Sequence, residues 1–133
     1  MKINVVGIMV DDQAKALAFY TDVLGFVTKR NIPMEYVSYI TVVSPEGPDD
    51  IELSLEPNGN PMVPAKEWQK ALYDAGIPAT SFGVDDVQAE YERLKARGVR
   101  FTSEPITDEA GFSMAIFDDT CGNLIMIASQ SIP

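Results

Sequence analysis

The sequence predicts an α+β fold made of two tandem copies of one βαβββ unit, and three observations carry that prediction. Val10-Asp11-Asp12-Gln13 returns as Val84-Asp85-Asp86-Val87-Gln88, an offset of 74 residues (84 − 10) in a chain of 133. In both places a strand-like apolar run precedes the Asp pair and an amphipathic helix pattern follows it. Later in each half, a β-rich run, a turn signal and a second β-rich run read as a hairpin. A chance recurrence of three residues would not carry this order along with it.

In the first half, residues 3–10 are rich in β-branched side chains and read as a strand. Asp11 or Asp12 then caps a helix running to about Leu24, because a carboxylate accepts from the free first-turn amides and opposes the helix dipole. Ala14, Leu17, Ala18, Thr21 and Leu24 form its predicted apolar stripe, and Gly25 stops it before a strand begins at Phe26-Val27. Residues 36–43 and 51–55 are predicted strands around the turn Ser44-Pro45-Glu46-Gly47-Pro48-Asp49-Asp50.

Glu56-Pro57-Asn58-Gly59-Asn60-Pro61 breaks the pattern, and a short helix is predicted over 65–74, with Trp68 anchoring it to the sheet. In the second half, 79–84 is a strand and Asp85 or Asp86 caps a helix with the stripe Val87, Tyr91 and Leu94. Gly98 ends this helix as Gly25 ended the first. Residues 99–102, 112–117 and 124–128 are predicted strands, the last two joined through Asp118-Asp119-Thr120-Cys121-Gly122-Asn123, whose Gly-Asn end suits a tight turn. The expected organisation is one domain over 1–133: a first module of about 1–56, a connector of about 57–77 and a second module of about 78–130.

Composition limits the function. Apolar content of 46% with 9% aromatics is enough for a core. Ten Lys and Arg against 20 Asp and Glu leave a net charge of −10, a surface that repels phosphate backbones and anionic lipid, so neither nucleic acid nor membrane is an expected partner. The first residues are too short and polar an apolar run for a signal peptide, and Cys121 is the only cysteine, so the chain reads as cytoplasmic. Cys121 itself, far from any base, reads as inert. There is no histidine. That removes imidazole general bases, Ser-His and Cys-His pairs, and imidazole metal ligands.

The motifs as a set resemble a known family. Val10-Asp11-Asp12 with Ala16-Leu17-Ala18-Phe19-Tyr20 and Leu24-Gly25-Phe26 is similar to the opening of the vicinal oxygen chelate superfamily. Phe82-Gly83-Val84-Asp85-Asp86 with Leu94-Lys95-Ala96-Arg97-Gly98-Val99 resembles its second opening, and Phe117-Asp118-Asp119 with Gly122-Asn123-Leu124 its closing hairpin. That superfamily includes glyoxalase I, extradiol dioxygenases, fosfomycin-modifying enzymes and bleomycin-binding resistance proteins. The resemblance implies two modules forming a curled mixed sheet around a cleft, often completed in a homodimer. It also implies metal ligands on the first and last strands of each module, which fall here on Val5, Glu52, Ala79 and Met126; both 79 − 5 and 126 − 52 give 74. Only Glu52 carries a ligand-capable group of the expected kind, so neither a metal nor another cofactor is expected.

Strand alternation assigns further residues to the same cleft: Gly7, Ser38, Ile40, Ser54, Ser81, Phe112 and Met114, with Tyr36 at a strand end, and Met9, Leu124 and Ala128 alongside. The predicted lining is mainly apolar and suits a small organic ligand. Met114, Met126 and Phe112 read more often as core fillers than as ligand contacts, and Glu52 also fits a solvated face. Glu52 buried among apolar groups would have a raised pKa and become a candidate catalytic acid or base. Three functions are therefore compatible, in order: a binder of small molecules without a metal, a metal-independent enzyme of lyase or isomerase type using Glu52, and an interaction module.

Overall fold

Residues 1–130 are described by a computed structural model of the chain. Its elements run β1 (Val5–Val10), α1 (Gln13–Ala18), β2 (Val27–Pro33), β3 (Ser38–Val43), β4 (Glu52–Pro57), α2 (Ala65–Asp74), β5 (Thr80–Gly83), α3 (Val87–Ala96), β6 (Ile106–Thr107), β7 (Phe112–Asp118) and β8 (Leu124–Gln130). The first helix continues through a π-helical turn, Phe19–Val23. This is the βαβββ repeat, built as two four-stranded mixed sheets ordered β1-β4-β3-β2 and β5-β8-β7-β6. In each sheet the first strand pairs parallel with the last and stands at a free edge.

The Asp pairs act as expected, and the second Asp of each is the cap. Asp12 accepts from the Lys15 amide and Asp86 from the Ala89 amide, each at 3.0 Å. Gly25 and Gly98 close the helices with φ of 89° and 87°, a left-handed conformation that a side chain would disfavour.

Each sheet turns one face toward its helix, and those two faces meet in a single core. Ile8, Val10, Ile40, Val42 and Leu55 come from the first sheet, and Ala115, Phe117, Ile125 and Ile127 from the second. Phe19 packs on Phe117 with ring centres 6.3 Å apart, and Phe26 meets Phe82 edge-on at 5.0 Å. Across the same junction the Tyr20 hydroxyl donates to Asp119 at 2.7 Å. Burial pushes both groups' pKa values up, helped for Tyr20 by the neighbouring Asp119 charge.

Three predictions about the elements need correction. Of the predicted stripe Leu17 and Leu24 pack against the core, but the residues that α1 and its π-turn bury are Ala16, Phe19 and Tyr20, while Ala14 and Ala18 are exposed. Residues 99–102 form no strand, only the single bridge Phe101–Phe117, and the outer strand of the second sheet is the two-residue β6. Trp68 does not anchor α2, since it is 65% exposed. Gln69 does that work. Its amide nitrogen donates to the carbonyls of Met9 and Cys121, both at 3.0 Å, and its oxygen accepts from Asn58 at 2.7 Å. Gln69 thus joins the connector to both modules. Gly122 makes room for it, since a Cβ there would lie 2.7 Å from the Gln69 amide nitrogen. Among the described residues no buried side-chain polar atom lacks a hydrogen-bond partner, and no helix is long and apolar enough to cross a membrane.

Candidate functional site

The face of each sheet opposite the shared core is left open, and pairing register decides which side chains stand on it. In the first sheet Val5 lies beside Glu52, Gly7 beside Ser54 and Met9 beside Glu56. The antiparallel neighbour places Thr41 opposite Ser54, and the outer strand places Arg30 opposite Thr41 and Ile32 opposite Tyr39. Residues directly opposite share a face. The open face of the first module therefore carries Val5, Gly7, Glu52, Ser54, Glu56, Tyr39, Thr41, Arg30 and Ile32.

Glu52 is its centre. The residue is only 6% exposed. One carboxylate oxygen accepts from Thr41 Oγ1 at 2.6 Å and from Arg30 Nε at 2.8 Å. The other faces Arg30 Nη2 at 3.5 Å and Lys29 Nζ at 3.8 Å. Consecutive strand residues point to opposite faces, so Lys29 and Arg30 could not both reach Glu52 from a regular strand. A β-bulge between Thr28 and Arg30 turns both of them toward it. The hydrogen bonds from Arg30 and then from Thr41 hold the Glu52 pKa below the ordinary carboxylate range, and they outweigh the opposing effect of burial. The raised pKa expected of a carboxyl among apolar groups is thus reversed. A carboxylate so held is poorly suited to donate a proton.

Ser54, expected beside Glu52, donates instead to Glu56 at 2.5 Å. Glu56, at the far end of β4, is half-buried. Ser38 and Ile40 do not share this face. They alternate with Tyr39 and Thr41, Ile40 lies in the core, and both line a groove of about 520 Å³ between α1 and the outer strands. Tyr36 sits outside β3 and is 88% exposed. The phase of β3 is one residue off the expected alternation, and such a shift exchanges the two faces.

The second module's open face is different. Met126 pairs with Ser81 and Ile116, and Met114 lies between Ala128 and Ile106. With Phe112 on the same alternation, the surface is apolar and half-buried, apart from exposed Ser81 and Ile106. Ala79 is exposed just before β5 and reaches the sheet through its amide, which donates to Leu124 O at 2.8 Å. The 74-residue arithmetic therefore does not carry over to pairing. Val5 stands beside Glu52, but Met126 stands beside Ser81, two residues along from Ala79. An even shift keeps Met126 on the open face while separating it from Ala79 by about 6–7 Å of strand. Cys121 lies elsewhere, buried, with its thiol pushed up to about 12 by burial and then by the Asp119 charge.

The profile of the Glyoxalase/Bleomycin resistance protein/Dioxygenase superfamily matches residues 2–127. The chain belongs to this superfamily. The uncharacterized protein YurT of Bacillus subtilis (strain 168) is 53% identical over 130 residues, covering 98% of this chain and 100% of that protein. The crystal structure of UcmS2 superposes with a TM-score of 0.82 at 28% identity, covering 96% of this chain and 97% of the other. That of TnmS3, an antibiotic binding protein from Streptomyces sp. CB03234, gives 0.76 at 26% identity, with 98% and 97% covered.

Within the superfamily's architecture, the four strand positions inferred for metal ligands do not fit a divalent ion as a donor set. Val5 and Ala79 offer no donor, Met126 offers a thioether, and the Glu52 oxygens are engaged by Arg30, Thr41 and Lys29. A catalytic zinc site takes about three protein donors. Among the described residues no group of three or more Asp, Glu or Cys side chains is placed to hold a metal ion. Sequence reasoning missed Arg30, Lys29 and Thr41. The signal that could have found them is a Lys-Arg pair on a strand otherwise free of charge, and alternation alone sends its two side chains to opposite faces.

Proposed function

We propose that the protein binds a small organic molecule on the open faces of its sheets without a catalytic divalent metal. One observation carries this reading. The single acidic side chain at the inferred ligand positions is committed to Arg30 and Thr41, at 2.8 and 2.6 Å. The second module supports it with a Met-lined and aromatic surface that adapts to apolar ligands. The likeness to TnmS3, an antibiotic binding protein, points the same way. Use of Glu52 as a catalytic acid is disfavoured by its lowered pKa.

The proposed assembly is a homodimer. The apolar open face of the second module and the free edges of β1 and β5 offer a second copy both contact surface and hydrogen-bonding groups. A buried, unreactive cysteine suits a reducing cytoplasm. Thermal unfolding in the presence of a panel of small organic compounds, with and without EDTA, tests the reading. A compound at 100 times its Kd should add about 2.7 kcal/mol of stability, and EDTA should not change it. Stabilisation that appears only with an added divalent metal would overturn the proposal.

A further inference from the structure

Building on the binding function proposed above, the open face of the first module identifies the chemical class of its ligand. We propose that Arg30 takes the place of the family's metal: its guanidinium, locked to Glu52 along one edge, presents the other edge to a carboxylate of a small organic ligand.

The geometry of the lock comes first. Nε, and more weakly Nη2, face Glu52, while Nη1 has no hydrogen-bond partner among the described residues. The Glu52 side chain is 8% exposed and that of Arg30 is 46% exposed. The carboxylate lies beneath and fixes the plane of the guanidinium, and the outer part of the fork faces solvent. A planar fork held in this way matches a carboxylate in two parallel hydrogen bonds, with little rotamer entropy left to lose.

The bulge is an independent observation. A regular β2 would show Glu52 one cation and send the next to the opposite face. The irregularity between Thr28 and Arg30 places both on the same carboxylate. Lys29 also donates to the Asp49 carbonyl, and with Glu56 on the same face the two cations are matched by two carboxylates in a chain of net charge −10. Neutralising Glu52 alone would have required only Arg30. Glu56, on the same face, is hydrogen-bonded to Ser54. Bulges recur beside binding sites because they re-aim side chains.

The surroundings specify the rest of the ligand. Tyr39 shares the face with Arg30, and Val27 and Ile32 are about half exposed on the same strand as Arg30. An apolar or aromatic body attached to a carboxylate fits this surface better than a free inorganic anion, which would leave those side chains uncovered.

The test uses benzoate as probe and benzamide as its neutral isostere, followed by NMR through the Arg30 Nε–Hε signal and the Thr41 and Ser54 amides. Benzoate should shift these signals saturably, with benzamide about tenfold weaker or worse, as expected for loss of a charge-assisted pair. Arg30→Lys keeps the charge but not the fork and should weaken benzoate by a similar factor. The double variant Arg30→Gln/Glu52→Gln leaves no unpaired buried carboxylate and should lose the response while remaining folded. Glu52→Gln alone loosens the lock but leaves the fork, and should weaken benzoate without abolishing the response. Equal binding of benzoate and benzamide, or undiminished benzoate binding in the double variant, overturns the assignment. If neutral or cationic compounds perturb the open faces and benzoate does not, the assignment falls and the binding function stands. If no compound perturbs either open face, both fall.

Discussion

The two modules share a topology and differ in what they expose. The first sheet's open face is salted, with Glu52 fastened to Arg30, Lys29 and Thr41. The second presents Phe112, Met114, Ile116 and Met126, with Ser81 at its margin. Their core-facing sides are alike, both aliphatic and aromatic, because both pack into one shared core. Two copies of a unit must keep the face that buries them together. The open face bears no such constraint, so there the copies have diverged in chemistry while keeping their ladders.

That comparison is easiest to break through the core. Replacing Phe117, fully buried on the core face of the second sheet, by Ala should cost about 3–5 kcal/mol of stability. Met126→Ala on the opposite face of the same sheet should cost much less. Equal losses in chemical denaturation would mean that the two faces are not distinguished as described.

Exchanging the character of the open faces gives the next largest effect. Met126→Glu puts a carboxylate beside Ile116 and Met114, and a cost of about 1–3 kcal/mol is expected. The same change is harmless only if the second face is as polar as the first.

A pH series separates the faces further. The folded pKa of Glu52 is held below its ordinary value of 4.5, so its contribution is present above that value and is lost as pH falls through the lower folded pKa. Asp119, raised by burial, has the opposite sign: its contribution fades as pH rises from its ordinary 3.8 through the higher folded pKa. Glu52→Gln should therefore flatten the acid limb of stability measured by urea denaturation. An unchanged limb would show that the Arg30 pair contributes nothing. The smallest effect belongs to Trp68→Ala, which should stay within about 0.5 kcal/mol because the ring is mostly exposed.

The repeat and the caps were legible from local chemistry alone. Asp12 and Asp86, Gly25 and Gly98, and α2 at Ala65–Asp74 need nothing beyond near neighbours. Alternation placed Phe112, Met114 and Met126 together because β7 and β8 are long and regular. It failed for Ser38 and Ile40, where the long turn after β3 hides the strand's phase, and one residue of slip exchanges the faces. It failed again at Arg30, because a bulge is set by cross-strand pairing and leaves no periodic mark. Trp68 and Gln69 show the same limit. Apolar character pointed to the tryptophan, whereas the connector is held by an amide that finds Met9, Asn58 and Cys121 from three distant parts of the chain.

The most direct test of the account is metal analysis of the purified protein after incubation with excess zinc, nickel, manganese or iron(II) and desalting. Substoichiometric metal, unchanged by Glu52→Gln, is the expected result. One equivalent per chain, retained through desalting and lost in Glu52→Gln, would contradict it.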